Sequence, residues 1–338
     1  MSVTATSAPG VRRQPAATLP RRLLAFGRRR RTPITIVGSL ATAAMLALLL
    51  AGRRDDFAAA LTQAQLWVLL VAAALQVVAL VSRSEAWHLT IQEAGGTVER
   101  RILYRASSMQ VLGGVLNGHL GVAVRIAALR RSSPSVCPQV PALIAAELPI
   151  LAVEGALAAL TSFTLIGPLG LAWWLPLVAI AVIGTLGAGL RRLALRRSRE
   201  LWSGLAVLRS LRGGMRVIGF VLVAVFAQIL RNWMLLHAVG VDASLLDATA
   251  VLIAVVTLGQ LPIGPSVGAA AAVLILGSEG VAAAAAAGVL TTVTGTFGGL
   301  CFAAWAGADR LWAQITRRSP ARARATARRR SSPPSASP

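Results

Sequence analysis

Lysine is missing altogether: all 34 basic residues are arginine. Acids are scarce, 12 in 338 residues, and there are two cysteines, three histidines and one tyrosine. Each shortage excludes something. Cys137 lies in a polar connection and Cys301 in an apolar run, so the pair makes neither a disulfide framework nor a metal knuckle. No histidine has a Cys, Asp or Glu beside it at metal-ligand spacing. A phosphate-cradling Walker loop is absent, as is any nucleophile–base arrangement. Neither a metal, a cofactor nor a catalytic centre is therefore expected, and the chain does not read as an enzyme. Charged residues make up only 14% against 56% apolar, with a mean hydropathy of +0.69. A soluble domain carries roughly a quarter charged residues, so this composition predicts one all-α, polytopic transmembrane helix bundle.

The net charge of +22 looks at first like a nucleic-acid footprint. Its distribution argues otherwise. Residues 1–33 hold eight arginines and no acid, 191–216 hold eight with Glu200, and 309–330 hold eight with Asp309. These three fringes contain the whole excess, and the rest of the chain balances ten arginines against ten acids. Basic residues beside membrane spans stay in the cytoplasm, so the fringes are expected on that side, against anionic lipid rather than nucleic acid.

Apolar runs at 34–51, 66–82, 141–166, 172–190, 217–239, 245–262 and 280–306 are candidate spans. At 1.5 Å per residue, about 20 residues cross the hydrocarbon core. The first run follows Arg28–Arg31 and precedes Arg53-Arg54-Asp55-Asp56, which predicts an uncleaved signal-anchor. Residues 102–129 are interrupted by polar groups and glycine, and 266–278 are too short for a simple span. Orienting the arginines makes 102–129 enter and leave on one side and sends 266–278 across as a half-helix. The expected topology is about eight crossings, with two broken or re-entrant segments and both termini cytoplasmic. Trp67, Trp173 and Trp174 are placed at the outer interface, and Trp87, Trp305 and Trp312 at the inner one. His88 and His237 are placed at span ends. One transmembrane domain, 33–316, is expected between disordered Arg-rich tails at 1–32 and 317–338.

The two interruptions carry the candidate site. The first contains Asn117, Gly118, His119 and Gly121, then Arg125; the second contains Gln260, Pro262, Gly264, Pro265 and Gly268. Proline removes a backbone donor and glycine lowers helix propensity, so the helix is expected to break at both places. Broken backbone in lipid must lie inside protein or line a cavity, and paired breaks in two halves point to a central transport site. Four charges sit within apolar runs or beside a break: Arg125, Glu147, Glu154 and Arg231. Glu147 and Glu154 are seven residues apart and so share a helix face. Arg125 or Arg231 is expected to pair with Glu147 or Glu154 around a polar cavity.

These residues resemble the transmembrane region of the lysylphosphatidylglycerol synthases and their free-standing flippase-like relatives, over roughly 34–312. Arg83, Trp87 and Gly95 match an Arg-x-x-x-Trp element followed by glycine. Asn117–Arg125 fall on a Pro-Gly-Arg-x-Gly-acid-x-x-Arg element, and Leu261–Gly268 look like a shortened Leu-Pro-x-x-Pro-Gly-Gly-x-Gly. Departures are Asn117 for the proline, Val122 for the acid, and the alanines Ala270–Ala272 where a glutamate is expected. The resemblance implies a lipid translocase of the cell membrane. The soluble aminoacyl-transferase domain that bifunctional members carry after the membrane part is not expected here, and neither is transfer chemistry. Two other readings remain open: a membrane-embedded transferase using lipid-linked donors, resting on Asp55-Asp56, and a non-transporting envelope scaffold.

Overall fold

Helix is the only regular structure among the described residues. That follows from a backbone that must satisfy its own hydrogen bonds wherever water is absent. The structure, a computed structural model, describes residues 37, 40–114, 118–196, 200–259 and 267–330. The expected N-terminal tail lies outside them, as do Asn117, Gln260, Pro262, Gly264, Pro265 and the side chains of Gly118 and His119.

A short apolar helix, α1 (Leu40–Leu50), leads into α2 (Arg54–Gln63), whose first turn holds Asp55 and Asp56 against the positive helix end. Next come α3 (Leu66–Glu93), α4 (Arg100–Gly114) and α5 (Gly118–Ser132). Residues Val140–Leu169 form one long apolar stretch made of α6 (Val140–Ala145), α7 (Leu148–Thr161), a 3₁₀ turn and α8 (Ile166–Leu169). Pro149 falls in the first turn of α7, where a missing N–H costs nothing, and it makes Glu147 the cap residue between α6 and α7. Then follow α9 (Leu175–Arg196), a 3₁₀ stretch (Glu200–Arg209), α10 (Leu211–Ala238) and α11 (Leu245–Leu258). Ser244 and Asp247 close a reciprocal capping box at the start of α11.

The last helix, Val267–Arg330, breaks at Gly280, whose φ of 133° and ψ of 110° suit only glycine. The break separates α12 (Val267–Gly277) from α13, whose apolar part is Gly280–Ala308. The helix runs on to Arg330, through a stretch rich in alanine and arginine, which are strong helix formers. Among the described residues, five stretches are long and apolar enough to cross a membrane: α3, Val140–Leu169, α9, α10 and α13.

The two interrupted segments form helical hairpins. In the first, a Cβ on Gly113 would lie 3.0 Å from the Gly121 Cα, so α4 and α5 close at backbone distance. In the second region, a Cβ on Gly268 would meet the Gly288 carbonyl at 2.7 Å, and one on Gly288 would meet the Ala269 Cα at 2.4 Å. Residues 267–277 therefore lie antiparallel to α13, packed on its first turns. The reason is local: Gly280 reverses the chain between two apolar helices. α12 also packs against α11 in one core with Leu235, Leu236 and Val239 of α10.

A second core gathers Trp87, Ile91, Leu103, Leu129, Leu143 and Ile150, where α4, α5 and α6 cover the end of α3. Trp87 is fully buried there, not interfacial. His88 is buried beside it, with Nε2 3.0 Å from the Val98 carbonyl. The helix end that hydropathy places at the membrane surface is roofed by the first hairpin. Trp67, Trp173, Trp174 and Trp305 are exposed, as an aromatic belt requires.

Candidate functional site

Buried charge divides into two groups. The first lies where α3, α5, α6 and α7 meet. Arg125 on α5 is 1% exposed and forms an ion pair with Glu147, itself 5% exposed, in the link between α6 and α7. Its guanidinium carbon stands 3.8 Å from the centroid of the Trp87 ring. A desolvated guanidinium over indole gains about 2 kcal/mol, which helps offset the loss of water. Glu154 does not join this pair. Its partner is Arg83 on α3, at 2.7 Å, and both side chains stay partly exposed. Of the pairings expected for Arg125 and Arg231, the structure has Arg125–Glu147; Glu154 meets Arg83, which was not expected.

Beside this group sits an acid that the hydropathy pattern conceals. Glu85 accepts a hydrogen bond from the Tyr104 hydroxyl, lies 3.7 Å from Arg100 and faces His88 Nδ1 at 3.9 Å. Arg83, Glu85, Trp87 and His88 all leave the last turns of α3. Their clustering just before a glycine stop at Gly95, φ 90°, is the signal in the sequence that could have marked the site.

The second group is different. Arg231 on α10, 7% exposed, meets neither glutamate; Nη1 donates to the Gln76 side-chain oxygen on α3. Its Nε has no hydrogen-bond partner. The neighbouring Asn232 is 2% exposed, and both its amide nitrogen and its amide oxygen are unpartnered. No carboxylate pairs with Arg231 among the described residues.

Depth follows from helix rise. Gln63, Gly240 and Gly280 line one open depression of about 390 Å³, together with Arg53 and Asp56, and so mark one end of the bundle. Gly295, whose Cβ position is 3.4 Å from Arg231 Nη1, is 15 residues along α13 from Gly280, about 22 Å. Ala308, the other end of the apolar part of α13, is about 20 Å beyond it. Arg231 therefore ends halfway along the apolar helix. A charge there costs at least about 2.5–3.5 kcal/mol on insertion scales.

Both hairpins reach the same stretch of α13. Val111, near the end of α4, would touch a Cβ on Gly299 at 2.5 Å, and Gly268, the start of α12, lies against Gly288 and Thr292. Gly295 falls between these contacts, so Arg231 sits between the described flanks of the two breaks. Of the candidate residues, Gly121, Arg125, Glu147 and Glu154 belong to the first group or its hairpin. Gly268 and Arg231 flank the second break. His119 and Gly118 are the first residues of α5, at the turn end of the first hairpin. Gln76 and Asn232 complete the Arg231 group; each is a polar residue inside an apolar helix.

No protein-family model, curated protein or solved structure matches the chain. Fold and buried charge together define a multi-pass helical membrane protein.

Proposed function

We propose that the chain is a flippase-like translocase of lipids or lipid-linked headgroups in the cell membrane. One observation carries this reading: two helical hairpins reach the middle of the same helix, and a buried arginine lies between them. α4 and α5 start and finish at the Arg100–Ser132 end of the bundle, while α11 and α12 start and finish at the Gly240–Gly280 end. With the arginine fringes cytoplasmic, α1, α3, Val140–Leu169, α9, α10 and α13 make six crossings, and the hairpins dip in from opposite faces. This arrangement has two crossings fewer than the eight expected from hydropathy and has both termini inside. The helix breaks expected between α4 and α5 and between α11 and α12 would expose backbone polar groups, which is tolerated where they face protein or a wet cavity. A headgroup passing between them exchanges its water for those groups while its acyl chains stay in lipid. The resemblance of Arg83, Trp87 and Asn117–Arg125 to flippase-like proteins points the same way. The basic fringes rest on anionic lipid at the cytoplasmic face. No covalent step is invoked.

The test is leaflet exchange. Full-length protein is reconstituted into vesicles holding a trace of headgroup-labelled lipid, and an impermeant quencher reports the outer leaflet. Exchange several times faster than in protein-free vesicles is expected. A rate equal to empty vesicles, for anionic, zwitterionic and cationic lipids alike, overturns the proposal.

A second reading, a transferase using lipid-linked donors, draws on the depression in which Asp56 faces Arg53 and Gln63. Product formation that disappears on Asp55→Asn or Asp56→Asn would favour it. Asp56 is exposed and lies in the first turn of α2, against the positive helix end, which is a sufficient structural role.

A further inference from the structure

We propose that Arg231, with Gln76 and Asn232, is a binding site for a phosphate-type anion, and that Arg125 is not. The inference rests on the translocase reading, and it names the headgroup class that reading leaves open. Arg125 is already neutralised by Glu147 and covered by Trp87, so no charge is left over for a ligand. Arg83 is likewise matched by Glu154. Arg231 differs in its partner: it has one neutral acceptor, Gln76, and no carboxylate among the described residues. A guanidinium carries five donors in a planar fork shaped for phosphate or carboxylate oxygens. Held in the middle of an apolar helix bundle without an acid, it lacks the counter-charge that buried ions require.

Asn232 supplies the second observation. It is almost completely buried, yet its amide makes no hydrogen bond. Native proteins rarely leave such a group idle. Leu235, Leu236 and Val239, which follow it on the same side of α10, pack against α11 and α12, so Asn232 is on the side turned to the second hairpin. Gly295, whose Cβ position is 3.4 Å from Nη1, lets α13 pass close against the guanidinium without a side chain of its own. Charge and an idle amide donor thus occur next to each other in the chain, between the two hairpins. An oxyanion there would take bonds from the guanidinium and from the Asn232 amide nitrogen. Phosphate is the oxyanion that nearly all membrane lipid headgroups carry, and inorganic phosphate offers the same oxygens without the acyl chains.

The experiment uses full-length protein in dodecyl maltoside, which has no phosphate. Dodecyl phosphate is titrated by equilibrium binding, with inorganic phosphate as competitor and dodecyltrimethylammonium as the cationic control. Saturable binding of dodecyl phosphate alone is expected. Arg231→Gln should weaken it roughly tenfold or more, and Asn232→Leu roughly threefold, as loss of charge-assisted and neutral donors implies. Arg83→Gln should leave it within about twofold. Displacement by inorganic phosphate at matching concentration assigns the site to the free anion; failure to displace assigns it to lipid. Equal affinity in wild type and Arg231→Gln, or no binding to wild type, overturns the proposal. Should Arg231→Gln not fold, unchanged affinity in both Arg231→Lys and Asn232→Leu overturns it instead. The two readings fail separately. Arg231-dependent binding without leaflet exchange removes the translocase and keeps the site, while exchange indifferent to Arg231 does the reverse.

Discussion

Arg125 and Arg231 are both arginines buried in helices, and the molecule treats them in opposite ways. Arg125 lies near the end of the bundle where α3 stops, with an aromatic face on one side and a carboxylate on the other. Arg231 lies at mid-depth with a neutral amide for company. A buried charge with its counter-ion adds little net stability, but it is costly to break. One without a counter-ion is costly to keep. The first arrangement is a fastening between the α4–α5 hairpin and the rest of the bundle; the second holds a charge in reserve. The difference separates a charge used for folding from one available to a ligand.

The largest effect is expected at the fastening. Glu147→Ala strands Arg125 and should destabilise the protein by about 3–5 kcal/mol, read as the thermal midpoint in detergent. The double variant Arg125→Met, Glu147→Leu should recover to within about 2 kcal/mol of wild type, because both charges leave together. A double variant as unstable as the single one would mean that packing, not charge, holds the site.

At Arg231 the sign reverses. Arg231→Gln removes an unmatched charge, so the melting point should hold or rise, by up to about 2.5 kcal/mol in stability, while leaflet exchange collapses. A destabilised variant with normal exchange would make Arg231 another fastening and erase the comparison. Smaller effects are expected at the first hairpin. Gly113→Ala pushes a methyl against the Gly121 backbone and should cost about 1–3 kcal/mol without changing affinity at Arg231. A measurable fall in that affinity would show that the two groups communicate. Arg83→Gln breaks a partly exposed pair and should cost no more than about 1 kcal/mol.

The mildest expectation concerns Cys137, in the connection after α5. Burial pushes its thiol pKa up, with Arg130 pulling partly the other way, so little thiolate exists at neutral pH. Maleimide labelling should be slower than for a free thiol. It should speed up about tenfold per pH unit until the raised pKa is reached.

Much of the fold was legible because length and hydropathy suffice to find a membrane helix. The runs at 66–82, 141–166, 172–190, 217–239 and 280–306 all became long apolar helices, each extended or shifted by a few residues at its ends. Polar helix ends are invisible to hydropathy, which is why α3 runs on to Glu93 and α10 begins at Leu211. Residues 266–278 were harder. An apolar stretch that crosses and one that turns back have the same composition. Only Gly277-Ser278-Glu279-Gly280 marks the reversal, and glycine is common throughout the chain. The buried charges could be listed but not paired. Glu147 and Glu154 share a helix face in an ideal helix, yet Pro149 interrupts it, and each acid meets a different arginine. Trp87 and His88 read as interfacial because nothing in α3 itself reveals that α4 and α5 fold over its end. Asn232 could be noticed, but its lack of a partner is a property of the packed bundle alone.

The claim beneath all of this is that the two hairpins enter from opposite faces. Single cysteines at Arg100, Ser132, Asp242 and Ala283, placed after Cys137 and Cys301 are changed to serine, measure it directly with a membrane-impermeant maleimide in oriented vesicles. The account predicts that the first two react only from the cytoplasmic face and the last two only from the other. Labelling of Asp242→Cys and Ala283→Cys from different faces would turn α11 and α12 into a crossing and contradict it.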